Sequence, residues 1–232
     1  FDDTLALYTG EDGEDLKAGQ RWVQPALGRT LKTIAQEGPQ AFYEGPIAEA
    51  LVAGVRRAGG IWRLEDLAGY EAKWREPIKF RYAGHQVWTM PPPSAGGVTL
   101  RHILRGTRLV GKALPGGMPG WGTPEAWHLY LEVSKRAYVD RKTLLGDPDF
   151  VRNPLSTLLT DDYLAKRMDG VSLKRITPSK KLGPIIEPAE SLETTHFSIV
   201  DRYGNAVANT YTLNLGYGAR VAVPEVGVLL NN

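Results

Sequence analysis

The sequence predicts an α+β fold, and three observations carry the prediction. Between residues 25 and 168, apolar side chains repeatedly recur three and four positions apart, with proline opening and glycine closing the segments. From residue 194 onward the pattern changes to alternation of apolar and polar residues around turn signals. Between them, residues 171–193 hold three prolines and no sustained period.

The elements follow in order. Pro25 opens a helix in which Leu27, Leu31 and Ile34 share a face, and Gly38 stops it. GPIAEALVAGVRRAGG repeats the scheme, from Pro46 to the Gly59-Gly60 pair, and LEDLAGY adds one or two helical turns. IKFRYAGHQVWTM alternates about Ala83-Gly84 and predicts a β-hairpin. The triple proline of MPPPSAGG makes a stiff, extended crossing, since proline suits neither a helix interior nor a central strand. A helix is expected from Gly97 to about Val110, and GKALPGGMPGWG is a surface loop by composition. Thr123-Pro124-Glu125 caps a long helix that ends before Gly146. A further helix starts at Leu155 or Asp161 and runs to Met168. The segment 171–193 is a linker or an exposed tail. HFSIVD and AVANTYTLN then flank the turn RYGN, and VAVPEVGVLL supplies another strand or two.

Composition excludes several functions. The 232 residues are 42% hydrophobic and 23% charged, with a net charge of +2, so no basic block invites nucleic acid. No apolar run reaches the roughly 18 residues that a membrane helix needs. There is no cysteine, and His85, His102, His128 and His196 lack metal-ligand spacing. The opening FDDTLALYTGEDGEDLKAG is acidic, without the basic and apolar regions of a signal peptide, and reads like the middle of a longer chain.

The chemistry gathers at Glu193-Thr194-Thr195-His196. A threonine hydroxyl is a weak nucleophile unless a base adjoins it, and a chain-terminal threonine carries that base as its own α-amine. In an unstructured peptide an α-amine titrates at about 7.7–8.0, so part of it is neutral near physiological pH. The branched Cβ restricts χ1 and orients the hydroxyl. This chemistry requires scission of the Glu193–Thr194 bond, and the same hydroxyl can attack the Glu193 carbonyl to achieve it. The plainer reading is a β-strand that starts with two threonines, a residue type suited to strand starts and caps. Asp140, Arg141, Asp147 and Asp149 are read as caps and salt bridges at a helix end. Ser94-Ala95-Gly96-Gly97 lacks the lysine and threonine of a phosphate loop.

TTHFSIVDRYGNAVANTYTLN resembles the opening of the small subunit of γ-glutamyltransferases (γ-glutamyl transpeptidases), members of the N-terminal nucleophile hydrolase superfamily. MPPPSAGG, LGDPDF, GPIAEALVAGVRRAGG with LEDLAGY, and GVLLNN resemble segments of the same family in the same order. The resemblance implies part of an αββα sandwich. It implies that residues 1–193 are the C-terminal half of a large subunit, with its linker at 171–193, and that 194–232 are the first strands of a small subunit that pairs with it after cleavage. By resemblance, Glu193-Thr194 is the autocleavage site, Thr194 the catalytic nucleophile and Thr212 its hydrogen-bonded assistant. Asn214 binds the α-amino and α-carboxylate ends of the γ-glutamyl group. His196 is structural, and Tyr211 belongs to the core. Strand alternation is expected to put Thr212 and Asn214 on one side.

The implied reaction is transfer or hydrolysis of a γ-glutamyl group from glutathione or a related donor to an amino acid, a peptide or water. No metal or organic cofactor is implied, and a periplasmic or extracellular home is expected. The family's substrate arginine and oxyanion-hole residues fall outside these 232 residues, so this stretch alone is expected to be a poor catalyst. Two alternatives stay open: a related amide hydrolase or acylase using the same threonine, and a catalytically incomplete structural fragment.

Overall fold

The computed structural model describes residues 2–10, 13–184 and 194–232. In chain order the elements are α1 (Asp2–Tyr8), α2 (Pro25–Glu37), α3 (Gln40–Tyr43), α4 (Gly45–Arg57), α5 (Leu64–Ala68), β1 (Ile78–Tyr82), β2 (His85–Thr89), α6 (Gly96–Ala113) and α7 (Pro124–Leu144). They continue with α8 (Leu155–Leu158), α9 (Asp161–Arg167), β3 (Thr195–Val200), β4 (Ala206–Tyr211), β5 (Ala222–Val223) and β6 (Val228–Leu229). The described strands pair as three antiparallel two-stranded sheets, and the fold class is α+β. Two compact units emerge: Phe1–Ala72 with Pro188–Asn232, and Lys73–Glu187.

The first unit builds its core on α4. Ile47, Ala48, Leu51, Val52 and Val55 recur at helical spacing and are buried, so one stripe of the helix is apolar. That stripe meets Leu67, Val223 and Val226. Each such side chain, fully buried, contributes roughly 1.5–3 kcal/mol. Gly54 permits the close approach: a Cβ there would lie 2.6 Å from Val223 Cγ2. Further ties join the same distant segments. The Thr30 hydroxyl donates to the Val226 carbonyl at 2.9 Å inside the core. The Thr4 hydroxyl donates to the Arg220 carbonyl at 2.7 Å and accepts from the Ala222 N–H at 3.1 Å. As predicted, α2 carries proline in its first turn, and Gly38 ends it with φ 87° and an N–H donated to the Ile34 carbonyl. Helices α1 and α3 were not foreseen; neither has a long apolar period to reveal it.

The second unit starts with the predicted hairpin, its turn formed by Ala83 at φ 49° and Gly84 at φ 86°. Ile78 and Phe80 bury one face against Val98 and Leu158. Residues 90–95 form neither helix nor strand, and a Cβ on Gly97 would lie 2.1 Å from the Met90 carbonyl oxygen. Helix α6 runs to Ala113, three residues past the expected end. On α7, the Thr123 hydroxyl accepts from the Ala126 N–H at 3.2 Å, the predicted N-cap. Leu129 and Val133 of α7 meet Leu164 and Met168 in a second core cluster. The single helix expected near 155–168 is two, because the Thr160 hydroxyl caps α9 by accepting from the Tyr163 N–H. Val171 and Leu173, within the segment read as a linker, pack against that second cluster.

Candidate active site

Strands β3 and β4 form an antiparallel hairpin whose register runs from Val200↔Ala206 to Thr195↔Tyr211. Its turn is held by one carboxylate: Asp201 accepts from the Tyr203 and Asn205 N–H groups at 2.8 and 2.9 Å and from the Asn205 amide at 2.8 Å. Those bonds, the Asn205 side chain's foremost, hold the Asp201 carboxyl below its ordinary range. Gly204 supplies the left-handed φ of 83°. The turn fixes the pairing, and the pairing fixes what faces what at the open end. The ladder ends at Thr195↔Tyr211, and Thr194 and Thr212 are the next residues beyond it on the two chains.

Within the paired strands, alternation puts His196 and Ser198 of one strand on the same face as Thr210 of the other. His196 binds along and across this face: Nδ1 lies 2.6 Å from Thr210 Oγ1 and Nε2 lies 3.2 Å from Ser198 Oγ. It thus contacts two hydroxyls of the hairpin, and neither of them is Thr194. Tyr211 lies on the opposite face beside Phe197, with ring centroids 6.5 Å apart. It is 59% exposed, not a core residue as expected, because every residue of both strands is exposed among the described residues.

Asn214 lies just beyond the strand. β4 ends at Tyr211, and Asn214 takes φ 74°, so strand alternation does not extend to it. A tight local bond links it to Thr212 instead: its N–H donates to Thr212 Oγ1 at 2.8 Å. The corner is closed by Asn232, whose side-chain oxygen accepts from the Leu215 N–H at 3.0 Å and from the Asn214 amide at 3.4 Å. Thr194, Thr212 and Asn214 are therefore gathered at one end of one hairpin. Glu193, the other half of the expected scissile bond, lies outside the described residues. An open cavity of about 640 Å³ in the same unit is lined by residues such as Leu7, Trp22 and Arg29, not by this trio.

Of the acidic residues near the end of α7, Asp147 accepts from the Asp149 N–H at 3.0 Å, and the other two are engaged by cations. Asp140 accepts from Arg167 Nε at 2.8 Å, while Asp149 pairs with Lys73 and Arg75 at 2.8 and 2.9 Å.

The comparisons extend this picture over the whole chain. The family model described as gamma-glutamyltranspeptidase matches residues 2–232. The glutathione hydrolase proenzyme of Escherichia coli is 41% identical over 223 residues, which cover 96% of this chain and 38% of that protein. Among solved structures, the γ-glutamyltranspeptidase of Helicobacter pylori superposes with a TM-score of 0.71 at 31% identity, covering 81% of this chain and 54% of that one. The cephalosporin acylase of Bacillus halodurans superposes with a TM-score of 0.76 at 27% identity, covering 99% and 39% respectively. These neighbours have the N-terminal nucleophile hydrolase fold. The chain spans about two fifths of the length of the curated relatives it matches. On the match of residues 2–232 to that family model, the chain belongs to the γ-glutamyltranspeptidase family.

Proposed function

We propose that the protein containing this chain transfers or hydrolyses γ-glutamyl groups, glutathione and related compounds among them, with Thr194 as its nucleophile. The observation that carries the reading is that Thr194 and Thr212 each lie one residue beyond the last pair, Thr195↔Tyr211, at the exposed open end of the hairpin. The protein first cuts itself. Thr194 Oγ attacks the Glu193 carbonyl carbon, the peptide C–N bond breaks, and the acyl group passes to oxygen while the α-amine of Thr194 takes up a proton. Water then hydrolyses the ester, leaving Glu193 with a carboxylate and Thr194 as a new terminus. In turnover the neutral α-amine takes the hydroxyl proton as Oγ attacks the γ-amide carbonyl. The leaving amine departs with that proton, and a γ-glutamyl ester remains on Thr194. Water or the amine of an amino acid or peptide then releases the acyl group. Thr212 holds the hydroxyl in line, and Asn214 binds the polar α-end of the donor.

Residues 1–193 and 194–232 would then belong to two subunits that stay paired, in a protein exported from the cytoplasm. Among the described residues no helix is long and apolar enough to cross a membrane. A second reading, an acylase acting on another amide through the same threonine, is favoured by the superposition on the cephalosporin acylase.

Intact mass of the full-length protein tests the nucleophile: two fragments divided before Thr194 are expected, and one uncut polypeptide for Thr194→Ala. A γ-glutamyl anilide assayed beside a cephalosporin side-chain amide separates the two readings. Release from the second substrate alone would assign the acylase.

A further inference from the structure

Two opposite charges of the first unit line one cavity and leave each other unpaired. The cavity is open, holds about 600 Å³, and has both Asp15 and Arg220 in its lining. That volume suits a small molecule. No ion pair joins the two side chains, and neither makes a side-chain hydrogen bond among the described residues. Backbone contacts fix both charges in place. An antiparallel bridge between Thr9 and Asp15 holds the acid beyond the end of α1. Arg220 donates its N–H to the Tyr217 carbonyl at 2.8 Å, and its own carbonyl accepts from the Thr4 hydroxyl at 2.7 Å. It takes φ 58°, a left-handed backbone that glycine would adopt without strain. Tyr8 and Tyr217, in edge contact at 5.3 Å, add aromatic surface to the same cavity, and Leu5 and Leu16 add apolar surface. Burial first, and then Tyr217, holds the Tyr8 phenol above its ordinary value, so it stays neutral.

We propose that this cavity binds a free α-amino acid with an apolar or aromatic side chain, its carboxylate on Arg220 and its ammonium on Asp15. Such a ligand carries both charges, in the signs that the cavity leaves unmatched. The guanidinium of Arg220 is a planar fork of donors, a shape that fits a carboxylate. Asp15 accepts from the ammonium, and the ligand's side chain lies against the Tyr8 and Tyr217 rings and the two leucines. A molecule with only one of the two charges leaves the other residue to water alone. None of Thr194, Thr212 and Asn214 lines the cavity, so binding there does not require the proposed reaction.

The test is titration calorimetry on the full-length protein without any γ-glutamyl donor, and L-phenylalanine is the probe. It should bind about tenfold more tightly than hydrocinnamate, which lacks the ammonium, and than phenethylamine, which lacks the carboxylate. Arg220→Gly, which suits the left-handed backbone, should abolish the advantage over phenethylamine. Asp15→Asn should abolish the advantage over hydrocinnamate. If both advantages persist in the variants, or if the wild type takes up no L-phenylalanine, the site is overturned. Should a variant not fold, the unaltered protein with isotope-labelled tyrosine decides. Magnetisation transfer from the L-phenylalanine ring to Tyr8 and Tyr217 supports the site, and its absence overturns it.

Discussion

At the scale of single residues, the Thr212 hydroxyl accepts from the Asn214 N–H, and Thr212 lies one residue past the open end of the β3–β4 ladder, where it is proposed to assist Thr194. Thr212→Val should lower kcat on the order of 10²-fold, the cost of a misplaced reacting group, and Thr212→Ser should restore most of it. Steady-state kinetics with a γ-glutamyl anilide checks both, and an unchanged kcat in the valine variant would remove Thr212 from the mechanism. Asn214 adopts a left-handed backbone that glycine and asparagine tolerate best. Asn214→Gly should therefore keep the fold while raising KM. Glu132 gathers several bonds in the second unit. Burial alone would raise its pKa, but bonds from Lys135, Thr177 and Arg136 outweigh that and bring it to about 2. Its folded value is depressed, so its stabilisation is present above the unfolded pKa near 4.5 and is lost as pH falls towards about 2. That difference corresponds to roughly 3 kcal/mol at neutral pH. Acid unfolding of Glu132→Gln should lack the steep loss between those two values.

At the scale of elements, the clearest signals in the sequence were local ones. Pro25, Gly38, Thr123 and the Ala83-Gly84 turn act through their own backbone geometry, and each sits where its chemistry predicts. Thr123→Ala should cost about 1 kcal/mol through the lost cap, measurable by urea unfolding. Gly97→Ala should cost considerably more, because its Cβ would meet the Met90 carbonyl oxygen, a backbone atom that cannot swing aside. The same measurement ranks the two; a smaller loss for Gly97→Ala would show that the 90–97 crossing is soft. The short helices α1 and α3 were invisible. They complete too few turns to show a period, and packing decides them. Tyr211 was expected in the core, but no local pattern reveals whether anything covers a strand's face, and it is exposed.

At the scale of the whole molecule, the first unit is assembled from chain on both sides of Thr194. Val223 is fully buried against α4, and Thr30 and Thr4 bond residues beyond position 219. A cut before Thr194 should consequently leave both pieces associated, co-eluting as one species in size-exclusion chromatography. Val223→Asp, which places an unpaired charge in that core, should separate them or prevent folding altogether. The sequence by itself determined the fold class, the elements that local caps and turns punctuate, the family likeness and the threonine candidates, because these rest on residues within a few positions of one another. Only the tertiary structure decided that Val171 and Leu173 are anchored, that His102 and Asp140 face each other in the interior, and that Asn232 closes the corner at Asn214. Each of those depends on partners well separated along the chain, and such meetings follow from how whole faces pack, which no local pattern encodes.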